Sequence, residues 1–520
     1  MSLTKKEKSK FRGTIFNHLD GIGVAPTATV LQKRGVLDFL LEKERAELPE
    51  ITATFKANEG YLNVALRILC SQGWLTQAIS EDEKTVVFSL TDKGRMAIPH
   101  VHLYREAVDF IPFAIKMEDF IHNGFDDGSF YCLSNLFQKH CNNWGLAFSE
   151  NEDEKVVQDQ MLRHIEGLIV GPLIVSLGIQ GLFHKYFSIA PFEAEEFTEH
   201  HEQLKAIVDF FTHLGWFVKK GSVYNFTSSG LFFARRASAY GVTVSYMPMF
   251  MRLEEIMFGN PNIFWERPAH SPEIHVNRAM NVWGSGGAHS SYFKKVDEII
   301  VDIFNKPIHR QPRGIADIGC GNGALLEHVF EVIWSKTERG KMLDEYPLFI
   351  VGADFNDAAL VATRHTLNTA GIWAKVIWGD IGNPDFLAKE MKEKYEIDLG
   401  DLLCVRSFLD HNRIYSEPKK TPPPGSTSTG AFCFRGKRLL NSHVEQNLVE
   451  HLENWAPYVR RFGLLVIELH SIDPHLAAAN IGKTAVTAYD ATHGYSDQYI
   501  LELDNFLQAA EKAGLLPVPA

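Results

Sequence analysis

Hydrophobic and polar positions follow one pattern in the first half of the chain and another in the second. In the first half, apolar residues gather in helical segments such as 61–70 and 204–211. From Gly314 onward, short apolar runs alternate with helical stretches and predict strands at 314–318, 348–353, 374–378, 401–405 and 463–469. Such alternation predicts a parallel, doubly wound α/β sheet with its ligand at the carboxyl ends of the strands. We therefore predict a mainly helical region at 1–270 and an α/β domain at 271–520.

The helical region contains an internal repeat, with copies at about 20–100 and about 165–240. In each copy a helix stops at a Gly-Trp pair, beginning at Gly73 or Gly215, and a strand pair follows that closes at Gly94 or Gly230. Helix, helix and a two-stranded wing is the winged-helix pattern, whose common role is DNA binding. The second helix of each copy has too few basic residues for phosphate contacts. We therefore favour a dimerising or lid module.

Composition narrows the classes of protein that this chain represents. Hydrophobic residues make up 45% and charged residues 22% of the 520 residues, which predicts folded domains. The net charge of −12 argues against general nucleic-acid affinity. The six cysteines contain no CxxC pair, which fits a reducing cytoplasm. The most apolar stretch, 167–183, is short and contains glycine and proline, so we expect a buried core segment and no membrane association.

A glycine-rich turn follows the first strand of the α/β domain. Gly319, Gly321 and Gly323 allow a tight turn, and the helix after them presents free N–H groups to an anion. Asp354 ends the next strand, where its carboxylate can accept hydrogen bonds from ribose hydroxyls, and Asp380 follows the third strand, where it can accept from an exocyclic amine. These positions predict a nucleoside-type cofactor site.

This motif set resembles the class I S-adenosylmethionine (SAM)-dependent methyltransferases over roughly residues 271–515. Asp317, with the three glycines, matches that family's first motif, and the resemblance implies SAM as cofactor in preference to NAD. The predicted cofactor-binding residues are Asp317, Gly319, Cys320, Gly321, Asp354, Phe355, Asp380, Ile381 and Arg406. A second glycine-rich stretch, 281–293, is interpreted either as a loop over the methionine end of the cofactor or as an interdomain hinge.

Methyl transfer also needs a group that accepts a proton from the acceptor substrate. Plant-type small-molecule O-methyltransferases, which this layout resembles, carry Leu-His-Asp-Trp after the fourth strand. Here the order is Leu-Asp-His-Asn, so the position of the base is occupied by Asp410 and the histidine is His411. We take Asp410, His411 and His493 as the candidate catalytic residues.

Histidine and amide side chains gather near the predicted ends of the fourth and fifth strands and before the last helix. Imidazole and amide oxygen suit iron or manganese. The predicted metal ligands are His411, His470, His493 and Gln498, and spacing does not decide which three bind.

The combination further resembles methyltransferases of polyketide synthase loading modules, the iron-dependent C-methyltransferases of the apratoxin-synthase type. That resemblance implies SAM-dependent, metal-assisted C-methylation of a malonyl-type acyl group on an acyl carrier protein, with the helical region as a lid. The usual terminal β-hairpin is missing before Ala520, so we expect a piece of a longer polypeptide with neighbouring synthase domains. The segment 416–430, rich in Pro, Ser and Thr, is expected to be a mobile loop.

Two other functions stay open at this point. A metal-free small-molecule O-methyltransferase would use Asp410 or His411 as its base. A winged-helix regulator would use the SAM fold to sense a ligand. The intact glycine and acid set disfavours a catalytically inactive scaffold.

Overall fold

The structure is a computed structural model that describes residues 3–117, 120–183, 190–268, 271–423 and 425–518. It divides into two compact units. The first unit comprises residues up to 284 together with 431–438 and 472–496, and the second comprises 285–430, 439–471 and the residues from 497 onward. Three segments of the predicted α/β domain, 271–284, 431–438 and 472–496, thus belong to the first unit.

The structure contains mainly helices before Gly314 and alternating strands and helices from Gly314 onward, as the sequence predicts. The helices, in chain order, are α1 Lys5–Lys33, α2 Val36–Lys43, α3 Leu48–Phe55, α4 Glu59–Ser71, α5 Asp92–Ala97, α6 Arg105–Asp109, α7 Ile111–Ala114, α8 Phe120–Asn123, α9 Asp127–Cys141, α10 Glu152–Ile179, α11 His201–His213, α12 Ser228–Ala234, α13 Ser238–Ser245, α14 Met247–Phe250, α15 Leu253–Phe258, α16 Arg278–Phe293, α17 Asp297–Phe304, α18 Ala324–Lys336, α19 Asp357–Thr369, α20 Pro384–Tyr395, α21 Asn441–Val459, α22 Pro474–Ala479, α23 Val486–Gly494 and α24 Leu503–Lys512. The strands are β1 Arg45–Glu47, β2 Leu75–Ile79, β3 Val86–Leu90, β4 Phe217–Lys220, β5 Val223–Phe226, β6 Gly314–Ile318, β7 Phe349–Asp354, β8 Lys375–Trp378, β9 Leu402–Ser407, β10 Phe432–Phe434, β11 Lys437–Leu439 and β12 Leu464–Ile467.

The predicted winged-helix copies are confirmed in the first unit. Copy one has the wing β2–β3 with β1 as a third strand, and copy two has the hairpin β4–β5. The two copies close in the same way: Thr91 Oγ accepts a hydrogen bond from the Gly94 N–H (2.9 Å), and Thr227 Oγ accepts one from the Gly230 N–H (3.0 Å). A Cβ at either glycine would clash with a tryptophan carbonyl, at 2.1 Å for Gly94 and 2.0 Å for Gly230. Residues 184–187, which the sequence places before the second helix of copy two, lie outside the described residues.

The long helices of the two copies, α1 and α10, cross at close range. A Cβ at Gly21 would lie 2.3 Å from the His164 Cα, and a Cβ at Gly167 would lie 2.3 Å from the His18 carbonyl oxygen. The contacts of the two histidines are reciprocal. His18 Nδ1, in copy one, is hydrogen-bonded to the hydroxyl of Tyr240 in copy two (2.8 Å). His164 Nδ1, at the start of copy two, is hydrogen-bonded to the hydroxyl of Tyr104, which follows the wing of copy one (2.8 Å). The two copies therefore pack as an internal pseudo-symmetric pair.

Helix α10 is long and apolar enough to cross a membrane by length and composition, but 78% of its most apolar window is buried inside the fold. Its residues from Gly167 to Leu177 are buried in the core of the first unit. The prediction of a buried core segment is confirmed here.

Helix α4, the second helix of copy one, is buried from Gly60 to Ser71. Its one basic residue, Arg67, forms a buried ion pair with Asp490 of α23. A helix packed in this way has no face with which to enter a DNA groove. The same contacts hold α23 within the first unit, although α23 lies within the predicted α/β domain in sequence.

Within the described residues, the second unit contains a five-stranded parallel sheet in the order β12-β9-β6-β7-β8. Ile315 of β6 packs in the core on one face of this sheet, and Ala316 and Ile318 pack in the core on the other. Apolar residues therefore cover both faces, as expected for a doubly wound sheet. The predicted parallel, doubly wound α/β sheet is confirmed, and the fold is Rossmann-like.

The glycine-rich stretch 281–293 is helical, and the prediction of a loop there was wrong. Glycine lowers helix propensity by about 1 kcal/mol per residue relative to alanine, which favoured a loop. Tertiary packing overrides this preference. A Cβ at Gly284 would lie 2.6 Å from the Gly241 Cα, and a Cβ at Gly286 would lie 2.0 Å from the Asn322 side chain. The backbone contact at Gly284 requires glycine, whereas a side chain at position 286 would force the Asn322 side chain to move.

The segment 416–430, expected to be mobile, is held by hydrogen bonds in its described part. Glu502 Oε1 accepts from the Thr429 N–H (2.8 Å) and Oε2 accepts from the Ser428 hydroxyl (2.7 Å). Glu450 accepts from the backbone N–H groups of Lys419 and Lys420 (3.0 and 2.8 Å). Composition alone predicted mobility because these glutamates are distant in sequence.

Candidate cofactor site and acid–base pair

The glycine loop lies between β6 and α18 in the second unit. Gly319 has a φ of +80°, and a Cβ there would lie 2.7 Å from the Leu409 side chain. Glycine is therefore required both for the backbone turn and for the approach of the β9 loop. The contact places the segment around Leu409 beside the loop that is predicted to hold the cofactor.

Asp354 ties the end of β7 to the same loop. Its Oδ2 accepts a hydrogen bond from the Gly321 N–H (3.0 Å), and its Oδ1 accepts from the Asn356 N–H (2.9 Å). These bonds fix the position of the carboxylate at the carboxyl edge of the sheet. Its predicted role as ribose acceptor stays a prediction that this position supports.

Asp317 and Cys320 are buried next to the loop. Burial, together with the negative charge of Asp354, raises the pKa of Asp317 to about 8, and Asp317 Oδ1 has no hydrogen-bond partner among the described residues. Burial also raises the pKa of the Cys320 thiol, and its Sγ accepts a hydrogen bond from the Thr363 hydroxyl (3.3 Å). Cys320 therefore joins the loop to α19 as a neutral thiol.

Aromatic residues stand at the ends of β7 and β8. Phe355 is 61% exposed, and its carbonyl accepts a hydrogen bond from Trp378 Nε1 (3.1 Å). Asp380 Oδ1 accepts from the Gly382 N–H (2.8 Å), and the Ile381 carbonyl accepts from Trp455 Nε1 (2.8 Å). Sequence reasoning missed Trp378 as a site residue. Its position, two residues before Asp380 at the end of a predicted strand, could have indicated that it lies at the site.

Two of the predicted site residues, Arg406 and Asp410, form a fully buried ion pair (2.6 Å). His451, which sequence reasoning missed, also hydrogen-bonds to Asp410 Oδ1 (3.0 Å). Burial opposes ionisation, but the Arg406 charge and His451 hold the pKa of Asp410 well below its usual range. A buried, ion-paired carboxylate is a poor base. This geometry argues against Asp410 as the base and against Arg406 as a cofactor ligand, and favours a structural role for both.

His411 has a different environment. Its Nδ1 lies 2.7 Å from Glu468 Oε1, and the other oxygen of Glu468 accepts from the His411 backbone N–H (3.3 Å). Glu468 directly follows the strand β12, which pairs with β9. In a neutral imidazole, a carboxylate on Nδ1 favours the tautomer in which Nε2 carries the lone pair, and Nε2 lies 3.4 Å from the Asn412 amide nitrogen. Sequence reasoning missed the role of Glu468 because the pair joins two separate strands.

The remaining predicted ligands lie in both units. His470 Nδ1 donates to the Leu501 carbonyl (3.3 Å), and burial lowers the pKa of His470. The backbone N–H of Tyr499, the residue after Gln498, donates to the His411 carbonyl (2.9 Å). The second unit thus gathers His411, His470 and the Gln498 segment. His493 belongs to the first unit, where its Nδ1 donates to the Tyr489 carbonyl (2.7 Å).

No group of three His, Cys, Asp or Glu side chains in the described part of the chain is arranged to hold a metal ion. This observation does not support a metal requirement, and the set of His411, His470, His493 and Gln498 stays a prediction.

A glycine loop, an acid tied to it and a second acid along one edge of a parallel sheet define a class I SAM-dependent methyltransferase. Family models match three stretches of the chain: the AprA MT2-like domain at 273–520, the AprA N-terminal domain at 11–77 and the AprA winged helix domain at 166–260. The chain belongs to the AprA-like class I methyltransferases.

Several solved structures are similar to this chain. The mitomycin 7-O-methyltransferase MmcR is 13% identical, with 70% of this chain and 95% of that chain covered and a TM-score of 0.39. Human N-acetylserotonin methyltransferase with SAM is 12% identical, with 71% and 94% covered and a TM-score of 0.34. The CurJ carbon methyltransferase is 8% identical, with 80% and 95% covered and a TM-score of 0.31. Among curated proteins there is no match. The family models alone carry the assignment.

Proposed function

We propose that this enzyme transfers the methyl group of SAM to the α-carbon of a malonyl-type acyl group held on an acyl carrier protein, as a step in making a polyketide starter unit. The pair of His411 and Glu468 carries this proposal. It lies at the carboxyl edge of the sheet, in the segment that packs against the glycine loop.

The chemistry follows from the geometry of this pair. His411 Nε2 takes a proton from the α-carbon of the acyl group, and Glu468 stabilises the imidazolium that forms. The α-carbon then attacks the methyl carbon of SAM in line with the sulfur. A carbon–carbon bond forms, the carbon–sulfur bond breaks, and S-adenosylhomocysteine (SAH) leaves. The proton on His411 is afterwards lost to solvent.

The choice of acyl acceptor rests on the family. The AprA MT2-like model matches the whole α/β half, and the AprA N-terminal and winged helix models match the first half in the same order. These matches support the family from which the malonyl-type acceptor is inferred.

The test is methylation of a malonyl-loaded acyl carrier protein with ¹³C-methyl SAM, read by mass spectrometry and NMR. We expect a new carbon-bound methyl group, and a loss of kcat of about 100-fold or more in His411→Gln. His365→Gln is the matched control, because His365 is exposed on α19. An oxygen-bound methyl on a small hydroxylated acceptor would instead support an O-methyltransferase with the same base.

Metal assistance by iron or manganese is implied by the resemblance and is tested separately. Metal analysis of the purified protein is combined with the same assay after exhaustive chelation. Loss of activity that returns with iron or manganese would support metal assistance. Unchanged activity would leave the His411 and Glu468 pair as the sole proton acceptor.

A further inference from the structure

An exposed basic patch covers the start of α1 and the end of α12 in the first unit. Lys5, Lys8 and Arg12 share one face of α1, because they are spaced three and four residues apart. Arg235 and Arg236 follow the last residue of α12. These five residues are called the basic patch.

Aromatic packing brings the two helices together. The Phe11 ring lies 5.5 Å from the Phe232 ring and 5.6 Å from the Phe233 ring, centroid to centroid. The Arg236 guanidinium lies over the Phe232 ring at 3.8 Å, and its Nη1 donates to the Phe232 carbonyl (3.1 Å). The residues of the basic patch are therefore held in place by aromatic packing between α1 and α12.

The charges of the basic patch are not neutralised within the part of the chain that the structure describes. None of its five side chains forms an ion pair there, whereas Lys33 pairs with Glu254 and Lys219 pairs with Asp209. Burial and then the charges of Arg12 and Arg235 lower the pKa of Arg236, which shows that these guanidinium groups repel one another. The nearest acid in sequence, Glu7, accepts from the Thr4 N–H in the cap of α1.

Such a cluster stands out in a chain with a net charge of −12. Like charges held together raise the free energy of the folded protein, and an acidic partner relieves that repulsion. On α1 the patch extends only about 10 Å, from the helical rise per residue. That size fits one face of a small protein. A long nucleic acid or a membrane surface would also meet the negative charge of the rest of the chain.

We propose that the basic patch docks the acidic face of the acyl carrier protein that delivers the substrate. This inference rests on the proposed function. The patch raises the local concentration of the carrier, and its long-range attraction speeds encounter at low ionic strength.

The test uses the full chain and the double variant Lys8→Glu/Arg12→Glu. Its matched control is Lys306→Glu/Arg310→Glu, which changes the charge equally at exposed positions of the second unit that form no ion pair among the described residues. Affinity for holo acyl carrier protein is measured by calorimetry at low and high salt. We expect about a tenfold weaker Kd in the patch variant at low salt only, which is about 1.4 kcal/mol, and no change in the control.

Kinetics separate this inference from the proposed function. The patch variant is expected to raise KM for malonyl carrier protein, with kcat and the activity on malonyl-pantetheine unchanged. If the wild-type protein methylates neither substrate, the proposed function is wrong. The calorimetric result would still show whether the basic patch binds the carrier protein. Equal Kd values for the patch variant and wild type would overturn the docking proposal, and Arg235→Glu repeats the measurement independently. Wild-type binding to duplex DNA or anionic vesicles, with none to the carrier protein, would also overturn it.

Discussion

Asp410 and His411 are neighbours in the sequence, yet they bond to different partners. Asp410 is neutralised by Arg406, and His411 is paired with Glu468. The first pair holds the Asp410 carboxylate ionised inside the fold, whereas the second orients the His411 imidazole with Nδ1 toward Glu468. With the reversed order Leu-Asp-His-Asn, the proposed base is therefore the histidine, His411.

Glu468→Gln tests the pair at the level of one residue. Glutamine keeps a hydrogen-bond acceptor for His411 but removes the charge that stabilises the imidazolium, so we expect kcat to fall by about 10- to 100-fold. The Kd for SAM is expected to stay unchanged, and the pH profile of kcat is expected to shift. Glu453→Gln, at a pair with Lys420 on the surface, is the control. An unchanged pH profile would assign Glu468 to structure alone.

Asp20 predicts a pH dependence of stability. Burial, aided by the charge of Asp490, raises the pKa of Asp20 to about 8, from an unfolded value near 3.8. The folded state thus binds the proton more tightly, and the stability that Asp20 contributes is lost as pH rises between about 4 and 8. Asp20→Asn keeps a neutral side chain. We expect its stability advantage over wild type to grow from pH 5 to pH 8 in urea unfolding, and a constant difference would contradict this.

At the scale of elements, the crossing of α1 and α10 depends on two glycines. Gly21→Ala places a Cβ against the backbone of His164, so we expect a loss of about 1–3 kcal/mol in unfolding free energy. Gly128→Ala in α9 is the control, because its Cβ would meet only the Asp126 side chain, at 3.3 Å. Equal stability of the two variants in denaturant titrations would show that the α1 and α10 crossing tolerates the added Cβ.

The attachment of α23 to the first unit depends on the buried pair of Arg67 and Asp490. Arg67→Met leaves the Asp490 carboxylate without its buried partner, and we expect a loss of about 3 kcal/mol. Hydrogen exchange in residues 486–494 is expected to accelerate most. Lys341→Met, at an exposed pair with Glu338, is expected to change stability by less than about 0.5 kcal/mol. Uniformly faster exchange across the first unit would contradict a local anchoring role.

At the scale of the whole molecule, the predicted cofactor residues lie in the second unit. We expect SAH at about 100 times its Kd to stabilise the protein by about 2.7 kcal/mol, seen as a rise in Tm. Asp354→Ala is expected to abolish this rise, and Asp357→Ala, on the first turn of α19, is expected to preserve it. A full SAH effect in Asp354→Ala would show that the cofactor does not bind at the carboxyl end of β7.

Local sequence predicted the elements whose pattern is contained in a few residues. The strand at 314–318 and the glycine turn at Gly319 were predictable because apolar runs and glycine have strong local preferences. The helix at Arg278–Phe293 was not, because Gly241 and Asn322, which are distant in sequence, require its glycines. The order of 416–430 was missed for the same reason.

For the candidate site, the sequence by itself determined the residue types and their strand ends: the glycine loop, Asp354, Asp380 and a histidine after β9. These follow from local backbone preferences and from the rule that parallel strands end at one edge. Only the tertiary structure decided that the Arg406 and Asp410 pair is fully buried and that His411 faces Glu468, which lies 57 residues away in the sequence. Burial and electrostatic pairing depend on how strands and helices pack, and no local pattern contains that information.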